Sequence, residues 1–206
     1  MMGVLKKENF GESHDAARAN YNNFPSDSVG FILGMENYSN QTLRDPQYID
    51  HTGYVHDRPV PVAPGYVEYM TGKKTSYSLH GVSGVVSWNI GDTDKMVVVM
   101  YEKPWSTLVY TNSLAVGIFP AGDLTGFFSK MNSGLEHGFE RHYYPGADGW
   151  MSPIRYKKDP NFVATGTMAD APKGNIDVRI PSQNYYHKFQ YFRLASGRSL
   201  ILDFMT

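Results

Sequence analysis

Between Met96 and Pro120 the chain holds two short apolar runs, Met96–Met100 and Leu114–Phe119. Each is too short for a membrane span and suits a strand buried in a sheet. Between them lies a loop rich in aromatic and hydroxyl side chains, opening at Lys103–Pro104–Trp105 and closing through Tyr110–Thr111–Asn112–Ser113. Two buried strands carrying such a loop make a rigid support for a binding surface, because loops on a sheet carry function more often than the strands do.

The same pattern repeats along the chain. Ser28–Gly34, Tyr66–Met70, Ser83–Ile90, Lys95–Tyr101, Ser152–Tyr156, Phe162–Met168 and Asn175–Ile180 read as strands. Turn residues separate many of them: Asn37–Asn40, Gly72–Lys74 and Gly91–Asp94, the last a hairpin signal. Gln47–Pro64, rich in Pro and His, reads as irregular. Gly122–Met131 reads as a short helix. With 20 Gly, 12 Pro and 14% aromatic residues, the composition agrees with a turn-rich β fold. The expected fold is all-β, an antiparallel β-sandwich with one short flanking α-helix.

Three segments are expected: a polar, loosely attached arm over 1–27, the sandwich over 28–182 and an added β-hairpin over 183–206. In the arm, Asp15–Ala19 suits a helical turn or two, which Asn20–Pro25 stops. In the tail, Phe189–Phe192 and Leu200–Leu202 flank a Ser196–Gly197–Arg198 turn.

Several classes are disfavoured. Net charge is −1 and the charges are scattered, so no basic face for nucleic acid is present. There are no cysteines, which excludes disulfides and thiolate sites. No two histidines stand three or four residues apart, so no metal site is expected. His137–His142 reads as a solvated loop. There is no Gly-x-Ser-x-Gly elbow, Walker loop or dinucleotide fingerprint. Asp92 and Asp94 suit a turn. The chain is expected to be a non-enzyme without a cofactor.

The segment KPWSTLVYTNSLAVGIF resembles the signature of the actinoporin family in its broad form, which includes related proteins of molluscs, vertebrates and plants. Pro104, Trp105, Tyr110, Thr111 and Asn112 fall in register with it. His80–Trp88 is similar to the family's upstream Gly-x-x-Gly-Val strand. Gly166–Asp170 with Asn175–Ile180 is similar to its closing strands. The resemblance covers roughly Ser28 to Ser182.

That resemblance implies a secreted, pore-forming-toxin-like protein that recognises a phospholipid headgroup, such as that of sphingomyelin or phosphatidylcholine, and forms homo-oligomers on membranes. It implies a headgroup site containing Pro104 and Tyr110 with Trp105 beside them. Glu102 stands where the family has a serine. Phe127 and Met131 stand where its helix has tyrosines; an alternative registration puts Tyr143 and Tyr144 there. A quaternary ammonium would be held by aromatic faces. Trp105, Leu108 and Val109 are candidates for seating at the bilayer interface, or for covering a sheet edge.

The family's N-terminal helix needs an apolar face repeating at i, i+3, i+4 and i+7. Val4, Leu5 and Phe10 are too few to make one, so lysis is expected to be weak or lost. The opening residues MMGVLKKENFGESHD also lack a signal-peptide apolar region. A second reading is a non-lytic glycan-binding module like the fungal fruit-body lectins, since Asn-, Tyr- and Trp-rich loops suit sugar contacts.

Overall fold

A computed structural model of the chain describes residues 6–7, 14–24, 29–106, 111–133, 139–144, 154–156, 159–169, 173–181, 189–193 and 199–203. The strands are β1 Lys6–Lys7, β2 Gly30–Tyr38, β3 Leu43–Thr52, β4 Tyr54–Asp57, β5 Tyr66–Lys73, β6 Val82–Ile90 and β7 Lys95–Lys103. They continue with β8 Asn112–Pro120, β9 Phe139–Tyr144, β10 Ile154–Tyr156, β11 Ala164–Met168, β12 Lys173–Pro181, β13 Phe189–Arg193 and β14 Ser199–Asp203. Two helices lie among the described residues, α1 His14–Asn22 and α2 Phe127–Ser133.

The protein is an all-β sandwich, as expected. One sheet has the order β1-β5-β2-β12-β11-β10, with β4 also on β5. The other has the order β3-β6-β7-β8-β9. β13 and β14 pair antiparallel as a separate two-stranded sheet. Period-two alternation sends Phe31, Leu33, Trp88, Val97, Val99 and Leu114 into the core between the sheets.

The opposite faces of the central strands are covered too. Met96, Val98 and Met100 of β7 lie under α2, in a second cluster with Leu124, Phe128 and Met131. Burial on both faces is why β7 reads as a continuous apolar run rather than an alternating one. Gly91 closes the β6–β7 hairpin at φ 55, a left-handed geometry that glycine adopts without a Cβ penalty.

Five expectations need correction. Residues 14–24 are not a loose arm. Ala17, Tyr21 and Phe24, at i, i+4 and i+7, form an apolar stripe packed with Ile32 and Tyr69 on the outer face of the first sheet. The Tyr21 hydroxyl donates to the Gly30 carbonyl at 3.2 Å. Among the described residues the sandwich therefore carries a second flanking helix besides α2.

Gln47–Pro64 is not irregular throughout, for β3 and β4 occupy much of it. β3 is an edge strand with register shifts between Arg44 and Gln47 and between Asp50 and Thr52, and its half-solvated residues supply no apolar run. Gly72 and Lys73 belong to β5 rather than to a turn. His142 and its neighbours form β9, an edge strand beside β8. Finally, the sandwich is not wholly antiparallel: β12 runs parallel to β2 along its length, from Lys173 opposite Gly30 to Pro181 opposite Tyr38.

A candidate headgroup-binding end of the five-stranded sheet

The ladder registers of the second sheet bring polar residues from distant parts of the chain into one row. Thr52 pairs with Ser83, Ser83 with Glu102 and Glu102 with Ser113. Residues directly opposite in an antiparallel ladder share a face. This face is the outer one, since Val85, Met100 and Ala115, two positions along, belong to the cluster under α2. The row lies one pleat beyond that cluster and spans about 14 Å across four strands.

Its chemistry is hydroxyl, hydroxyl, carboxylate, hydroxyl. Thr52 Oγ1 and Ser83 Oγ are 2.8 Å apart and bonded to each other. Ser113 Oγ is buried and has no hydrogen-bond partner among the described residues. A buried hydroxyl left unpaired costs of order 1–3 kcal/mol. Glu102 is half-buried. From its end of β7 the chain turns out through Pro104, half-buried, to Trp105, which is 50% exposed.

The expected site residues separate on this frame. Glu102, Pro104 and Trp105 come together at the end of β7. Tyr110, Leu108 and Val109 lie outside the described residues. Phe127 does not join them: its ring stands edge-on to Phe119 at 4.9 Å, and Phe119 pairs with Met96 at the far end of β7. That is about 20 Å along β8 from Ser113. Met131 is fully buried between α2 and the sheet, because the helix turns that side towards Met96, Val98 and Met100.

The backbone positions of the alternative pair also come to this end of the sheet. The backbone of Tyr143 lies opposite Ser113 and that of Tyr144 opposite Asn112, which continues the polar row onto β9. Their side chains lie outside what the structure describes.

Thr52, Ser83 and Ser113 were not among the expected site residues. The signal that could have found them is the β6–β7 hairpin: once Gly91–Asp94 is the turn, Ser83 and Glu102 stand at equal distances from it. His51 adds an aromatic surface nearby, stacked on Phe128 with centroids 4.0 Å apart and planes inclined by 18°.

On the strand beside the row, burial holds the Asp50 carboxyl above the ordinary carboxylate range, and the Val55 N–H partly offsets this. The folded chain therefore takes up this proton at higher pH than the unfolded chain. Stability from this group is full below the ordinary aspartate value and falls as pH rises through the raised one. Asp50→Asn is expected to flatten that dependence above the ordinary aspartate value. Urea midpoints that fall with pH equally in parent and variant would assign the effect elsewhere.

No protein-family profile matches the chain. It is 29% identical over 166 residues to Tereporin-Ca1 of Terebra anilis, an alignment covering 74% of this chain and 84% of that protein. It is 28% identical over 163 residues to Echotoxin-2 of Monoplex parthenopeus, covering 74% of this chain and 57% of that protein. Among solved structures, the lipid-binding protein Nakanori superposes with a TM-score of 0.59 at 12% identity, covering 81% of this chain and 79% of that one. This likeness is one of fold.

Proposed function

We propose that the chain is a membrane-lipid-binding protein of the pore-forming-toxin kind, and that it takes a phospholipid headgroup at the loop end of its five-stranded sheet. The observation that carries this reading is the buried Ser113 hydroxyl, unpaired among the described residues, in one row with Glu102, Ser83 and Thr52, beside a half-exposed Trp105. The toxin names of the two relatives support the same reading, as does a lipid-binding protein of the same fold.

The row suits the cationic part of a zwitterionic headgroup, as in sphingomyelin or phosphatidylcholine. Glu102 supplies a negative charge, and the Trp105 indole offers a ring face to a quaternary ammonium. The headgroup phosphate is placed away from Glu102, towards Ser113 and the β9 end, where a hydroxyl donor meets it and like charge does not. In this reading the protein acts outside the cell that makes it, assembles as a homo-oligomer on the target bilayer and does no covalent chemistry.

Ser113→Ala separates binding from folding. Removing a hydroxyl that has no partner among the described residues is expected to leave stability unchanged or raise it by up to about 1 kcal/mol. Binding to sphingomyelin vesicles, followed by sedimentation, is expected to weaken about fivefold, as for the loss of one hydrogen bond. Dye release measured on the same vesicles reports whether binding leads to a pore. Sedimentation identical in parent and variant would remove Ser113 from the site. Absence of binding to sphingomyelin and phosphatidylcholine vesicles alike would overturn the lipid reading.

One feature favours a second reading, a non-lytic glycan binder. A carboxylate among hydroxyls, beside an exposed indole, also accepts and donates to sugar hydroxyls while the ring stacks on a sugar face. A glycan array with hits, from a protein that leaves vesicles untouched, would decide for it.

A further inference from the structure

The loop between β5 and β6, residues 74–81, presents its apolar side chains outwards. Tyr77 is 102% exposed and Leu79 77% exposed. Single exposed apolar residues are ordinary; here two share a loop that is held in place. The Lys74 N–H donates to the Val29 carbonyl at 2.9 Å, and the Ser78 N–H to that of Thr75 at 3.2 Å. Lys74 Nζ donates to the Ser78 carbonyl at 3.3 Å, and the His80 N–H to Ser78 Oγ at 3.0 Å. Tyr77 sits at φ 61, a left-handed conformation uncommon for an aromatic residue. The loop thus spends backbone strain on a ring that touches nothing in the fold.

This loop shares its base with the one bearing Trp105. The Gly81 backbone lies so close to Lys103 and Pro104 that an added Cβ would stand 1.8 Å from the Lys103 carbonyl oxygen and 2.7 Å from Pro104 Cα. The two loops leave the same end of the sandwich side by side. Residues 74–81 carry no carboxylate, so no like charge on this loop opposes the phosphate layer of a phospholipid surface.

We propose that the β5–β6 loop is a second membrane-contacting element, whose Tyr77 and Leu79 enter the interfacial zone of a phospholipid bilayer alongside Trp105. The inference rests on the lipid-binding reading above and extends it from one headgroup pocket to a two-loop docking edge. A wholly exposed ring on a convex tip forms no wall of a small-molecule site. A bilayer interface provides both the apolar medium for the ring and leucine and the polar partners for the tyrosine hydroxyl.

The chain has no cysteine, so Leu79→Cys gives a single attachment point for an environment-sensitive fluorophore. With sphingomyelin–phosphatidylcholine vesicles, the probe at position 79 is expected to shift to the blue and to be quenched by lipids carrying a shallow quencher. The unlabelled double variant Tyr77→Ser/Leu79→Ser is expected to partition about tenfold more weakly than the parent, reflecting lost burial of two apolar side chains.

A chain that sediments with vesicles while the probe stays in water, and whose double variant binds like the parent, would overturn this inference and leave the headgroup reading standing. A chain that does not sediment at all would overturn both. Equal shielding of the probe in buffer, with self-association lost in the double variant, would assign the loop to a second copy of the chain and likewise overturn it.

Discussion

Gly81→Val is expected to lower the free energy of unfolding by about 3 kcal/mol or more, at the upper end of what overpacking costs. The reason is spatial rather than conformational. The atom that the new Cβ would meet, at 1.8 Å, is a backbone oxygen of Lys103, and it cannot rotate away as a side chain would. Lys103 is itself pinned: it is wholly buried, and its Nζ donates to the Ala169 carbonyl at 2.8 Å. Relief therefore requires the β5–β6 and β7–β8 loops to part, so the same substitution should weaken vesicle binding in whatever fraction stays folded. Gly122→Ala is the control, since the added carbon there has no atom within 4 Å. Urea unfolding followed by circular dichroism reads both. A valine variant as stable as the control would mean that the two loop bases stand apart.

Trp88→Ala should cost about 4 kcal/mol, the usual loss for a large aromatic removed from a core. Trp88 is 2% exposed and belongs to the cluster between the sheets. Its indole N–H donates to the Val60 carbonyl at 2.9 Å, tying the Pro-rich segment before β5 to the Gly91 end of β6. Trp88→Phe keeps most of the packing and loses that bond, for about 1–2 kcal/mol. If phenylalanine proved as damaging as alanine, the hydrogen bond rather than the volume would be the larger contribution.

What could be read from the sequence follows from how each element is buried. β6, β7 and β8 were legible because both their faces are covered, which leaves long apolar runs broken only at Gly91–Asp94 and at Pro104. β3 was not, because an edge strand shows water most of its residues, and Asp45, Pro46, Asp50 and His51 hide the alternation. α1 was read as no more than a turn or two on a loose arm because its buried stripe is built from Ala17, Tyr21 and Phe24 rather than from the aliphatic residues that usually mark an apolar face.

The site divides in the same way. Glu102, Pro104 and Trp105 are neighbours in the chain and could be read together. Thr52, Ser83 and Ser113 join them only across the strands, in a direction that sequence spacing does not record. Phe127 stands apart from the row for a related reason: α2 follows β8 directly, and its first ring packs on Phe119, six residues along β8 from Ser113.

The parallel pairing of β2 with β12 has a consequence for the order in which the protein can be assembled. Glu36 and Arg179, joined across that pair at 2.9 Å, are 143 residues apart in sequence. During synthesis β2 can pair with β5 early, but its other edge stays open until β12 leaves the ribosome. Until then a strand carrying Phe31, Leu33 and Met35 presents unpaired backbone groups, a template for wrong partners. The last strand of the larger sheet is thus inserted between segments already made, and completion of the sheet waits on a contact of very long loop closure, which places this chain among slow folders.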